Sequence, residues 1–156
     1  MMVLTLKRFH GPRLQRDGAA AAEFAVALPL LVTIVLGCVD FGRFAHGYIA
    51  VTNAARVGAD YASRHRYTTK TQATWNDEIY KAIKGEICPV DEITGVPLTN
   101  FDPTKLTVPA PVVTTDPNGL VRVKVEVQYQ FKTIVNWPKI PSQVTLKRSV
   151  EMRRIL

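Results

Sequence analysis

The chain has 156 residues, of which 21% are charged, with 20 Lys and Arg against 13 Asp and Glu for a formal charge of +7. That length suits one small domain with an appended segment and excludes a multidomain enzyme. The basic residues after position 18 are scattered from Arg43 to Arg154, which argues against the clustered basic face of a nucleic-acid binder.

Residues 1–18 read as a basic leader carrying Lys7, Arg8, Arg13 and Arg16, with Asp17 its only acid. Removing it lowers the formal charge from +7 to +4, so nearly half of the basic excess precedes the apolar run. By the positive-inside rule the amino terminus stays cytoplasmic and the remainder lies outside. An ordinary secretory signal is cut beyond its apolar stretch at a small-x-small site. Here a glycine, Gly18, precedes that stretch, and the residues past Val39 offer no such site.

Ala19–Val39 is a 21-residue apolar run, about 31 Å long as a helix and sufficient to span a bilayer core. Glu23 and Thr33 are its only polar members. A carboxylate placed one turn into a membrane helix is a functional candidate, because leaving it unpaired there is costly. Pro29 removes a backbone donor and is the expected kink or soft point. The helix is expected to continue beyond the membrane over residues 40–64. Phe41, Phe44, Tyr48, Val51, Ala55, Gly58 and Ala62 form a seam at spacings of three and four, with Asp40 and Arg43 mostly off it. Ala54, Gly58 and Ala62 make a small-x3-small ladder that permits close approach, either to the protein's own sheet or to other subunits.

Residues 65–156 are expected to form an α+β globular domain. Trp75, Ile79, Ile83 and Ile87 recur every four residues and predict a second helix over 74–87, with Thr74 and Asp77 resembling a capping box. Gly95, Pro97, Asn100 and Asp102 mark 90–103 as a loop with room for one short strand. A strand is expected over 106–114, demoted to a sheet edge by Pro109 and Pro111. The turn Asp116-Pro117-Asn118-Gly119 joins it to the alternating strand 120–131, whose Val121, Val123, Val125, Val127, Tyr129 and Phe131 share a face. A last strand begins at Val144; there Arg148 falls on the apolar face, at the rim of the core or rotated out by a bulge.

No catalytic pattern stands out. His10, His46 and His65 are too widely spaced for a local zinc motif, neither cysteine belongs to a C-x2-C pair, and no phosphate-binding loop occurs. The reading is therefore a non-enzyme with no metal or other cofactor. Cys38 and Cys88 allow one internal disulfide, which would hold the domain at the membrane surface. Two free thiols fit better, because Cys38 lies on a helix that faces lipid or neighbouring helices.

Several elements fall in register with one known family. Glu23-Phe24, Leu28-Pro29-Leu30-Leu31, Asp40-Phe41-Gly42-Arg43, and Asn53-Ala54-Ala55-Arg56 with Gly58-Ala59 together resemble the amino-terminal region of TadE-like proteins. These are pseudopilins or minor pilins of the bacterial tight-adherence, Flp-type pilus. The resemblance covers residues 16–63, and Asp40 stands where the family often has Glu. It implies a pilin-like fold and a single-pass inner-membrane precursor with its carboxyl-terminal domain in the periplasm. It also implies cleavage between Gly18 and Ala19 by a prepilin peptidase, followed by association with other pilins and the membrane assembly machinery. Glu23, with Phe24, would then set subunit register in the fibre. Two alternatives use the same residues differently: a type II secretion pseudopilin, and an uncleaved membrane anchor displaying a small binding domain.

Overall fold

The computed structural model describes residues 17–66, 68 and 70–154. Lys7, Arg8, Arg13 and Arg16, and hence nearly all of the expected leader, lie outside the described residues. The chain divides between Cys38 and Val39 into two compact units, and helix α1, Asp17–Arg64, runs from one into the other.

In the first unit every residue from Gly18 to Val35 is exposed. Among the described residues α1 is the helix long and apolar enough to cross a membrane, so it is a candidate membrane span. It runs through Pro29. The Thr33 hydroxyl donates to the Pro29 carbonyl at 2.7 Å, which satisfies the polar atom of a residue otherwise surrounded by apolar side chains.

The second unit is α+β, as the periodicities require. Helix α2, Gln72–Ile87, buries Trp75, Ile79, Ile83 and Ile87 as one stripe. Each fully buried isoleucine contributes about 1.5–3 kcal/mol of transfer free energy. The start of α2 differs from the expected capping box. The chain enters from Thr71, whose side chain makes no bond to the helix; its hydroxyl accepts from the Thr68 N–H at 2.8 Å instead. The Thr74–Asp77 pair lies inside the first turns and caps nothing.

A small antiparallel sheet completes the unit: β1 Leu106–Thr107, β2 Val112–Thr115, β3 Val121–Lys132 and β4 Gln143–Arg153. β3 pairs with all three others. β4 covers it without a break from Arg122↔Arg153 to Lys132↔Gln143, so β1 and β2 share its other edge. These two are the single strand expected over 106–114, cut in the middle. Leu106 pairs with Tyr129 and Thr107 with Gln128, whereas Val112 pairs with Lys124. Residues 108–111 therefore oppose only 125–127, one extra residue of the kind that makes a bulge, where Pro109 and Pro111 lack an N–H for the ladder. The unbroken β3–β4 register leaves Arg148 on the core face. It is exposed there with its guanidinium carbon 4.2 Å from the centre of the Tyr48 ring, so it lies at the rim.

The core gathers Val51, Ala54, Ala55, Ala59 and Ala62 of α1, the α2 stripe, and Val123, Val125, Val127, Tyr129 and Phe131 of β3. Gly58 makes this packing possible. A Cβ there would stand 2.7 Å from both Cγ1 and Cδ1 of Ile83 and 3.2 Å from Cγ1 of Val125. The seam differs at its start. Asp40, not Phe41, is buried, and Phe41 is 71% exposed. The inward positions run Asp40, Phe44, Gly47, Val51, Ala54, Gly58 and Ala62, because an internally bonded carboxylate occupies the first of them.

Candidate functional site

The residues expected to be processed and to set register lie in the first unit. Gly18 and Ala19 are helical and exposed, as are Glu23 and Phe24. A Cβ at Gly18 would meet nothing within 4 Å, so packing among the described residues does not demand glycine there. Ala19 and Glu23 are four residues apart and so share one helix face. Glu23 has no hydrogen bond or ion pair among the described residues.

The second cluster centres on Asp40, just beyond the apolar run and 5% exposed. Its Oδ1 accepts from the backbone N–H of Ile134 at 2.9 Å and from Nη1 of Arg43 at 3.3 Å. Its Oδ2 accepts from the indole Nε1 of Trp137 at 3.0 Å and the N–H of Val135 at 3.3 Å. Four donors thus converge on one carboxylate, three of them from the connection between β3 and β4. The Ile134 N–H does most to hold the Asp40 pKa below its ordinary value; burial opposes this, and Trp137, Val135 and Arg43 add to it. Sequence reasoning placed Asp40 off the packed face and missed this tether. The available signal was an acid directly abutting an apolar run, but three of its four partners lie 94 to 97 residues away.

Beside the tether runs an open groove of about 520 Å³. Gly42, Arg43, His46 and Gly47 form one wall, with Phe101, Tyr129 and Phe131 among the residues opposite. His46 stacks on Phe101 with ring centroids 5.7 Å apart, and Phe44 meets Phe131 edge-on at 5.6 Å. The Tyr129 hydroxyl accepts from the Asp102 N–H at 3.2 Å. These contacts fix the α1 side of the core. The lining residues pair no nucleophile with a base.

Of the expected packing positions, Ala54, Gly58 and Ala62 are buried, Phe44 is partly buried against the core, and Tyr48 stands under Arg148. Cys38 is an exposed free thiol and Cys88 a buried one; burial raises the Cys88 pKa. Among the described residues no group of three or more His, Cys, Asp or Glu side chains is arranged to hold a metal ion.

Residues 18–60 match the family described as TadE-like protein, the family that the sequence elements resemble. The match spans the apolar run, Glu23, Asp40 and most of the packed length of α1, and it associates the chain with the Tad pilus. No curated protein and no solved structure matches the chain.

Proposed function

We propose that this chain, TadE-like over residues 18–60, is the precursor of a pseudopilin or minor pilin. A prepilin peptidase cuts it between Gly18 and Ala19, and it acts with partner pilins in building a Flp-type pilus. The reactive chemistry is then done to the protein and not by it. One observation carries the reading: a lone carboxylate, Glu23, without a partner among the described residues, at the head of an exposed apolar helix. Such a group needs a cation before the helix can pack in an apolar bundle.

Cleavage supplies one. It leaves a cationic α-amino group on Ala19, one turn from Glu23 on the same face. In an assembled bundle the carboxylate pairs with that amine in its own or a neighbouring chain and fixes axial register. Removing one partner of a buried pair costs about 3–5 kcal/mol, far above the value of an exposed pair. Gly18 serves the peptidase. A residue without Cβ lets the scissile backbone lie extended in a cleft, and among the described residues no packing contact asks for glycine at that position.

The test is Gly18→Leu in the native host. The proposal expects full-length precursor to accumulate in membranes, and normal maturation of this variant would remove its basis.

A further inference from the structure

We propose that the connection between β3 and β4, residues 133–142, is a lipid-contacting loop that seats the globular unit on the headgroup layer of the membrane crossed by residues 19–39. The inference rests on that membrane reading of the apolar run. Asp40 immediately follows the run in the chain, so any segment bonded to it is held within a few residues' length of the point where the chain leaves the bilayer. The bonds from Ile134, Val135 and Trp137 to the Asp40 carboxylate do this.

The surface held there has interfacial chemistry. Ile134 is 60% and Ile140 58% exposed, and Phe41 on the adjoining turn of α1 is exposed as well. From Lys132 to Ser142 the sequence contains two lysines and no acid. The carboxylate that the loop does touch, Asp40, is occupied by its four donors and buried. Exposed aliphatic side chains and lysines, beside the half-buried Trp137 ring whose Nε1 is turned to Asp40, are a combination that suits the boundary between acyl chains and anionic headgroups. The Ile140 N–H bonds to the Trp137 carbonyl at 3.3 Å, closing a turn with Pro138 second and Lys139 third. Lys139 has φ 67, the only positive φ among described non-glycine residues, in a turn position where glycine is the usual residue. Lys139 stands where the backbone alone would favour glycine, and Ile140 follows it at the tip. The source of the anionic, amphipathic surface is the bilayer itself, since the chain already enters it at the neighbouring residue.

The experiment uses the full chain reconstituted in vesicles of mixed zwitterionic and anionic phospholipid, with acyl chains brominated near the headgroup. Bromine quenches tryptophan on contact. The two tryptophans are distinguished with Trp137→Phe, since Trp75 is buried in the core and donates to the His65 carbonyl. The emission lost in that variant should be clearly weaker in brominated than in ordinary vesicles, as for a tryptophan close to the headgroup layer. Ile134→Ser with Ile140→Ser, both exposed and outside the core, should cut the quenching at least severalfold while Trp75 emission stays unchanged. Release of the protein by alkaline carbonate would overturn the membrane span and the lipid contact together. Retention in the vesicles with unquenched Trp137 would overturn the lipid contact alone.

Discussion

Gly58 offers a quantitative test of the packing between α1, α2 and β3. In Gly58→Ala the new Cβ would lie 2.7 Å from two carbons of Ile83 and 3.2 Å from Val125. Ile83 has no exposed surface, so it cannot swing into solvent and must push into packed neighbours. Overpacking of this kind costs about 1–3 kcal/mol, while replacing a helical glycine by alanine returns about 1 kcal/mol. The net expectation is a loss of about 1 kcal/mol, or about 4 °C in Tm for a unit of this size. Ile83→Ala alone should cost about 2–5 kcal/mol. In that background both clashing carbons are gone, so Gly58→Ala should become stabilising by about 1 kcal/mol. The double-mutant cycle then gives a coupling of about 2 kcal/mol. Urea unfolding of the full chain in detergent micelles, followed by the emission of buried Trp75, measures all four corners. Additivity within about 0.5 kcal/mol would show that the two residues do not share this contact.

Two further substitutions address the carboxylates. Folding lowers the Asp40 pKa below its ordinary 3.8, so the stabilisation it contributes is complete above that value and is lost as pH falls through the folded-state pKa. Asp40→Asn should therefore unfold more readily near neutral pH and show a shallower acid limb below pH 3.8. The limb should persist in part, because Asp91, Asp102 and Glu126 are lowered as well; an identical limb in variant and wild type would contradict the tether. Glu23→Ala should mature at the normal size yet support few surface pili, counted by electron microscopy, and undiminished piliation would refute the pairing with the Ala19 amine.

The features legible in the sequence were those with a local signature. The α2 stripe at every fourth residue and the alternation along β3 each announce both their element and their buried face, because the period belongs to the backbone. Asn118-Gly119 likewise announces its turn, and Gly119 has φ +77. Features set by distant parts of the chain were not legible. The phase of the α1 seam is shifted by one at Asp40 and at Gly47, because the core accepts a carboxylate whose donors come from the β3–β4 connection. Gly47 is buried for a similar reason: its missing side chain leaves room for Leu146, whose Cδ1 would be 3.1 Å from a Cβ. The short break between β1 and β2 needed the register of β3 to become visible, although its cause, two prolines, was plain. At the candidate processing site the sequence carries most of the information. The proposed peptidase recognition and charge pairing depend on residue identity and spacing, which a single chain has only to present.

If the proposed processing holds, the functional chain begins at Ala19. Intact mass with amino-terminal sequencing, on protein purified from membranes of the native host, should then give Ala19 as the first residue and a mass lower by that of residues 1–18. A chain still beginning at Met1 or Met2, in cells whose prepilin peptidase is active, would contradict it and leave Glu23 without the amine it is proposed to meet.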